Sequence, residues 1–183
     1  MRSERFLGAS TTFFDITKYL LLTIVVIAAL FMLVGVPLFV EGVSMKPNFS
    51  TGEVVIIERL SYLGDKPVKR GDVVAATFPG DPKRTRLIKR IIGLPNETVT
   101  LKDGAFSIDG QPLAEIYQIS PGTPPYQELE TVVLKSDEYF LAGDNRPGSS
   151  DSRLWGPVAR GDIQGRASFV LWPLGSVRYV DRY

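Results

Sequence analysis

The sequence contains no cysteine and no histidine. These absences exclude a thiol nucleophile, a disulfide framework, a zinc site built from cysteine and histidine, and a triad of serine, histidine and aspartate. The nucleophile and base pairs that remain for acyl transfer are a serine or threonine with a lysine or an N-terminal amine. The lack of cysteine says little about the redox compartment, because such a chain suits any compartment.

The chain also lacks a strong excess of charge of either sign. Its 183 residues carry a formal net charge of +1, and no basic footprint of the kind that binds nucleic acid is visible. We therefore expect no nucleic-acid partner. The length suffices for one or two domains with a sizeable core.

Residues 19–40 form a run of 22 residues without a charged side chain. As a helix, such a run spans a hydrocarbon core of about 30 Å. A buried core helix is the first alternative, but such helices are usually shorter or amphipathic. A cleavable signal peptide is the second, but its apolar region is shorter and a small-x-small site follows it. The run therefore predicts an uncleaved transmembrane helix, which Gly35 and Pro37 end or kink.

The cations near this run predict its orientation. Arg2, Arg5 and Lys18 precede it, whereas Lys46 is the only nearby cation after it. By the positive-inside rule, the N-terminus faces the cytoplasm and the following residues lie outside. We expect a chain in contact with the lipid of a plasma or inner membrane, with a cytoplasmic tail (1–18), one span (19–40) and an extracytoplasmic domain (41–183).

The outer domain has the sequence pattern of a mainly β protein. Short runs rich in Val, Ile, Thr and Phe are separated by turn signals. Asp103 and Gly104 form a two-residue hairpin signal. Residues 115–130, rich in Pro and Gly, predict an irregular surface excursion. We expect an antiparallel β-sheet domain, with no convincing second helix. The predicted strands are 53–58, 72–78, 97–102, 105–109, 131–134 and 167–172.

A lone serine follows the apolar run in the stretch EGVSMKP, residues 41–47. Gly42 permits a strained turn or a close approach to a ligand, and Pro47 limits how the chain leaves the turn. Such a turn can present the Ser44 hydroxyl together with its own N–H. An ordinary polar linker leaving the membrane explains the same residues.

The stretch RTRLIKRIIG, residues 84–93, contains a lysine flanked by apolar residues. Read as a strand, Lys89 shares a face with Leu87 and Ile91, while the three arginines take the opposite face, where water can reach them. Burial disfavours the ammonium and lowers a lysine pKa toward about 7 or 8, the range of a general base. A lysine that snorkels to the surface is the alternative.

The stretch GDNRPGSSDSRLWG, residues 143–156, predicts a tightly folded loop, because its residues favour local side-chain to backbone hydrogen bonds. Ser149, Asp151, Ser152 and Arg153 can supply hydroxyl and ion-pair contacts to a neighbouring site. The alternative is a purely structural loop, held by pairs between its own aspartates and arginines.

These segments, in this order after an apolar N-terminal run, resemble the type I signal peptidases, the membrane-anchored Ser-Lys endopeptidases that remove signal peptides from exported proteins. Each motif alone is weak, but four in order make coincidence improbable. The matching segments are 42–47 (GVSMKP), 70–74 (RGDVV), 89–95 (KRIIGLP) and 143–146 (GDNR), the last followed by Ser149, Asp151, Ser152 and Arg153.

The resemblance implies a catalytic dyad and its surroundings. It implies Ser44 as the nucleophile and Lys89 as the general base, with Ser149 hydrogen-bonded to the lysine and orienting it. It also implies that Met45 and Leu87 contact the substrate, a signal peptide with small residues one and three positions before the cut. No metal or cofactor is implied, and we expect the chain to act as a monomer.

The resemblance further implies two ion pairs as structural supports, Asp144 with Arg90 and Asp151 with Arg153. The family fold is a mostly antiparallel β domain, which agrees with the strand pattern. A Ser-Lys self-cleaving regulator shares the chemistry, but it would carry a DNA-binding domain in place of the apolar run. A tethered β module without activity and an inactive homologue are the remaining alternatives.

The sequence departs from the family pattern at two positions near the nucleophile. Some members have a serine two residues before it, whose hydroxyl helps to bind the oxyanion, but Gly42 stands there. The oxyanion site would then depend on the Ser44 N–H. We expect Gly42→Ser to be tolerated and to raise the rate, provided that position 42 does not need a positive φ. The second departure is Asn48, where a threonine is common.

Overall fold

The computed structural model describes residues 2–64, 66–122 and 129–182, with side chains for 13–29, 35–64, 66–122 and 131–182. The chain divides into two compact units, Met1–Val36 and Pro37–Tyr183. The site residues predicted from the sequence all belong to the second unit.

The first unit consists mainly of one helix, α1 (Arg2–Val34). The helix ends just before Gly35 and Pro37, because proline lacks an N–H and its ring clashes with a preceding helical turn. The predicted helix over 19–40 is therefore wrong in its extent, since Val36–Phe39 is a strand. Within the part of the chain that the structure describes, no helix has the length and apolar character needed to cross a membrane, so the predicted span is not found there.

Strands build most of the second unit. In chain order the described strands are β1 (Val36–Phe39), β2 (Val54–Glu58), β3 (Val73–Thr77), β4 (Arg86–Gly93), β5 (Thr98–Lys102), β6 (Ala105–Ile108), β7 (Gln111–Pro112), β8 (Leu129–Val133), β9 (Glu138–Ala142), β10 (Val158–Ala159), β11 (Ile163–Trp172) and β12 (Arg178–Tyr179). A one-turn helix, α2 (Ser152–Trp155), interrupts them.

The strands form two sheets. In the larger sheet the order is β1-β2-β11-β3-β4-β9-β10, with β12 paired to β11. The smaller sheet has the order β7-β6-β5-β8. The pairings from β2 to β10, and those within the smaller sheet, are antiparallel. The expected antiparallel β domain is confirmed.

The predicted hairpin at Asp103 and Gly104 is confirmed. Both residues have positive φ, 51° and 79°, as the two-residue turns that suit the twist of a hairpin require. The turn joins β5 to β6, which pair antiparallel with Leu101 opposite Phe106. The four-residue helix α2 was not predicted, because it is too short to show helical periodicity.

The core explains why β3 reads as an unbroken apolar run. Val73 and Ala75 pack in one cluster with Met45 and Phe49, whereas alternate residues such as Val74 pack in another cluster on the opposite face of the strand. Both faces of the central strand are therefore buried. Each fully buried side chain of this size contributes about 1.5 to 3 kcal/mol, so Met45 and Phe49 fix the loop that carries them to the main sheet.

Candidate active site

The Ser44 loop, residues 41–52, connects β1 to β2. Its base is closed by two backbone hydrogen bonds, from Val40 N–H to Glu53 O at 2.8 Å and from Gly52 N–H to Val40 O at 2.9 Å. Met45 is buried, with 2% of its surface exposed, and anchors the residue after Ser44 in the core. The loop thus presents Ser44 from a fixed base rather than from a free linker.

Lys89 lies in the middle of β4 and reaches the Ser44 loop. Its Nζ donates to Ser44 Oγ at 2.8 Å. The side chain is 3% exposed, so the expected burial of Lys89 is confirmed. Burial is the main cause that lowers the pKa of Lys89 to about 8, against the opposing effect of the Asp151 and Asp144 carboxylates. The neutral amine is therefore a minor form at neutral pH and becomes the major form above about pH 8.

The predicted position of the arginines beside Lys89 is wrong for one of the three. Arg84 and Arg86 are exposed, but Arg90 is buried, with 2% of its surface exposed. The alternation argument assumed that one face of the strand is in contact with water. From Ile88 to Gly93 every residue of β4 is buried, so both faces of this part of the strand are covered.

The charge of the buried Arg90 is balanced by a buried carboxylate. Its Nε and one terminal nitrogen donate to the two carboxylate oxygens of Asp144, both at 2.7 Å. The other terminal nitrogen donates to Gly71 O at 2.8 Å, and the guanidinium lies 3.9 Å from the centre of the Tyr117 ring. The two-point geometry and these additional contacts are what a buried ion pair needs to offset desolvation.

The loop over residues 143–153 hydrogen-bonds to the backbone of the Ser44 loop. Asn145 N–H donates to Ser44 O at 3.0 Å, and its side-chain amide donates to Val43 O at 3.1 Å. Gly143 lets the two loops meet, because a Cβ there would collide with Ser44 O and Ser149 Oγ. This contact between the loops fixes the backbone on both sides of the Ser44 hydroxyl.

Asp151 organises the 143–153 loop. It accepts from Gly143 N–H at 2.9 Å and from two nitrogens of Arg153 at 2.7 and 2.8 Å, and it caps the N-terminus of α2. Burial raises the pKa of Asp151, but the Arg153 guanidinium and the Gly143 N–H outweigh this effect and hold that pKa below its ordinary value. Arg146 pairs instead with Glu115, so the loop is not held by its own aspartates and arginines alone.

The expected hydrogen bond between Ser149 and Lys89 is not formed. Ser149 Oγ is buried and has no hydrogen-bond partner among the described residues. The hydroxyl packs against Gly143 and lies close enough to Asp151 to help lower the pKa of that carboxylate, while Lys89 Nζ is directed at Ser44. Ser149 belongs to the site by position, but it does not orient the lysine in this arrangement.

Gly42 has a φ of +81°, so the condition attached to Gly42→Ser is not met and a gain in rate is not expected. Open space surrounds the position, but a side chain in this conformation costs about 1 to 3 kcal/mol of strain. We now expect Gly42→Ser and Gly42→Ala both to lower kcat. Kinetic measurements on the two variants check this, and a serine variant faster than wild type would contradict it.

Ser44 and Lys89 open into a groove of about 720 Å³. One wall is formed by residues 37–41 and the other by residues 83–89, including the half-buried Leu87. Residues 86–89 of β4 pair only with β3, because β9 pairs with β4 from Arg90 onward in the described part of the sheet. The groove therefore has a free strand edge beside the serine. Met45, although buried, also lines it.

Some residues that build the site were given no role from the sequence. Asn48 donates through its side-chain amide to Asp144 at 2.7 Å and to Gln118 O at 2.7 Å, which links the Ser44 loop to the buried ion pair. Asn145 and Gly143 lay in a recognised motif, but their contacts are to a distant loop. Only the departure at Asn48 from the family pattern drew attention to that position.

Known proteins resemble this chain over most of its length. A family model described as "Signal peptidase, peptidase S26" matches residues 13–172. The chain is 30% identical to a signal peptidase I of Bacillus licheniformis over 99% of this chain and 100% of the relative. It is 39% identical to a signal peptidase I of Leptolyngbya laminosa over 74% of this chain and 68% of the relative.

A solved structure is also similar, a crystal structure of a signal peptidase I from Enterococcus faecalis V583, with 32% sequence identity and a TM-score of 0.48, covering 57% of this chain and 100% of that one. The family model alone spans most of the sequence. The chain therefore belongs to the signal peptidase family, peptidase S26.

Proposed function

We propose that the chain is a serine endopeptidase that removes N-terminal signal peptides from exported preproteins. The observation that carries the proposal is the 2.8 Å contact between Lys89 Nζ and Ser44 Oγ in a groove large enough for a peptide. Membership in the signal peptidase family supports the substrate class. Both reacting groups come from one chain, so we propose that it acts as a monomer.

The dyad supplies the nucleophile and the base. Neutral Lys89 accepts the Ser44 hydroxyl proton while Ser44 Oγ attacks the scissile carbonyl and forms a tetrahedral intermediate. The intermediate collapses as the resulting ammonium of Lys89 passes the proton to the leaving amine, which gives an acyl-enzyme. Lys89 then deprotonates a water molecule that hydrolyses the ester, and Ser44 regains its proton.

The oxyanion of this intermediate needs a hydrogen-bond donor. Ser44 N–H has no acceptor among the hydrogen bonds of the described residues, and it belongs to the residue whose Oγ attacks. We propose that this N–H binds the developing oxyanion. One such donor contributes about 3 to 4 kcal/mol to the transition state.

The free strand edge of the groove supports a mode of substrate binding. An extended peptide can add to the edge of β4 over residues 86–89 and place alternate side chains against the groove wall. Leu87 and Met45 line that wall, and we propose that they contact the substrate. We propose that this wall accepts the small residues one and three positions before the cut.

We also propose that the chain works at a membrane, with its N-terminus in the cytoplasm and its catalytic unit outside. The apolar run in the sequence supports this. The mostly apolar side chains of residues 13–29 in α1 are exposed, and an exposed apolar surface is unfavourable in water. Extraction of membranes with alkaline carbonate tests attachment. Protease treatment of intact cells, in a separate experiment, tests orientation. Release of the full chain by carbonate would reject the proposal.

The cleavage assay tests the function itself. The full-length chain in detergent is incubated with a preprotein that carries an Ala-x-Ala site, and the product is sequenced. A single cut after that site supports a signal peptidase. Cleavage of the chain itself alone would favour a self-cleaving regulator, and no cut in either protein would favour a tethered module without activity.

The rate should depend on pH, because the mechanism needs neutral Lys89. Its pKa is lowered by burial to about 8, so the protonated and inactive form dominates below that pH. We expect kcat/KM to rise from about pH 6 to about pH 9 with an apparent pKa near the lysine value. Circular dichroism at each pH controls for unfolding, and a flat profile over that range would contradict the assignment of Lys89 as the base.

A further inference from the structure

One arginine of the C-terminal strand hydrogen-bonds to the Ser44 loop. Arg178 in β12 donates to Asn48 O at 2.5 Å and to the two carboxylate oxygens of Glu53 at 2.9 and 3.1 Å. Its guanidinium also lies 5.5 Å from the centre of the Phe49 ring. One side chain thus contacts both the loop and the residue that closes its base.

Glu53 links Arg178 to the base of the Ser44 loop. Its side chain is buried, with 5% of the residue exposed, and accepts from Ser50 N–H at 3.2 Å. Its backbone carbonyl accepts from Val40 N–H, the contact that closes the loop. The Arg178 side chain is 38% exposed, so solvent weakens the pair, but the two-point contact with a buried carboxylate fixes its direction.

Asn48 is held on two sides, four residues after the serine. Its carbonyl accepts from Arg178, while its side-chain amide donates to the buried Asp144. Asn48 therefore links the Ser44 loop both to the ion pair of Arg90 with Asp144 and to the C-terminal strand.

Arg178 is itself fixed to the main sheet. It lies opposite Val170 in the pairing of β12 with β11, and Val180 N–H donates to Ser168 O at 3.0 Å. The guanidinium thus has a rigid support. Arg178 also lies beyond residues 13–172, the segment that the family model matches, so the family motifs do not include it.

We propose that Arg178 is a positioning residue for Ser44. Its contacts with Asn48 and Glu53 hold the Ser44 loop so that Oγ stays in reach of Lys89 Nζ. A misplacement of about 1 Å at a reacting group can cost about 100-fold in rate. Contacts that hold the loop in place therefore affect the rate of cleavage, although Arg178 touches neither reacting atom. This inference rests on the proposed peptidase function.

The test compares Arg178→Ala and Arg178→Lys with a matched control, Arg166→Ala. Arg166 also donates to a carboxylate and to a backbone carbonyl, those of Glu58 and Ala167, but its hydrogen bonds do not reach the Ser44 loop. Kinetics with the same preprotein are measured for each full-length variant. Hydrogen exchange is followed in peptides that cover residues 43–49.

We expect Arg178→Ala to lower kcat about 10-fold while KM changes by less than about 2-fold, since an effect on kcat alone points to the reacting groups. Arg178→Lys should restore part of kcat, because lysine keeps the charge but not the two-point geometry. Exchange over 43–49 should accelerate in Arg178→Ala and not in Arg166→Ala.

The outcomes separate this inference from the proposed function. If wild type cleaves and both alanine variants match in kcat and in exchange, the inference is overturned and the peptidase function stands. If wild type does not cleave, the peptidase function fails, and the exchange comparison alone decides whether Arg178 holds the loop. Equal loss of kcat in both alanine variants would show a general stability effect and would also overturn the inference.

Discussion

Lys89→Met and Ser44→Ala are each expected to lower kcat by about 10⁴-fold or more. Each removes one half of a dyad whose members lie 2.8 Å apart, and a base and a nucleophile that act as a unit lose most of the rate when either is missing. Methionine suits the buried site of Lys89 because it has similar length without a charge to desolvate. The measurement is single-turnover cleavage of a preprotein.

Matched substitutions elsewhere in the chain separate this effect from damage to the fold. Lys102→Met at the exposed end of β5 and Ser107→Ala in β6 make the same chemical changes in the smaller sheet, and both should retain wild-type kcat. Lys89→Met should also unfold no more easily than wild type. A residual rate above about one hundredth of wild type in either dyad variant would contradict the assignment.

Asp144→Ala is expected to destabilise the catalytic unit by about 3 to 5 kcal/mol. The substitution leaves the buried Arg90 guanidinium without its two-point partner and removes an acceptor of the Asn48 amide. Such a cost is a large part of the stability of a typical domain, about 5 to 15 kcal/mol. Urea denaturation of the full-length chain in detergent measures it.

Asp162→Ala is the matched control for Asp144→Ala. Asp162 also pairs with an arginine, Arg84, but at 3.7 Å and with 71% of the arginine side chain exposed. Solvent screens such a pair, and its removal should cost less than about 1 kcal/mol. Equal denaturation midpoints for the two variants would mean that the buried pair does not support the fold.

The sequence predicted β2, β3, β5 and β6 to within about one residue of their observed bounds, because these runs are rich in β-branched and aromatic residues. For β5 and β6, the turn at Asp103 and Gly104 also marks where the two strands meet. β9 and β12 were not predicted. Their pairing depends on partners far along the chain, which the residues next to them do not reveal.

The end of α1 was also predicted incorrectly from local sequence. The apolar run suggested one helix to residue 40, but the helix ends at Val34 and Val36–Phe39 joins the larger sheet. Apolar composition does not distinguish a helix from a strand over so short a stretch. Gly35 and Pro37 were recognised as breakers, but only the pairing with β2 turned the residues after the break into a strand.

The sequence by itself determined which chemistry is possible and which residues could carry it. Without histidine or cysteine, a serine with a lysine was the natural pair, and the apolar neighbours of Lys89 predicted its burial. Only the tertiary structure decided the surroundings: the buried face of Arg90, the positive φ of Gly42, the unpartnered Ser149 hydroxyl, and the hold of Asn48 and Arg178 on the Ser44 loop. The reason is physical. Strand and turn propensities follow from neighbours along the chain, whereas the environment of each residue depends on segments far from it in sequence. Arg178 and Asn48, for example, lie 130 positions apart and meet only once the sheet has brought them together.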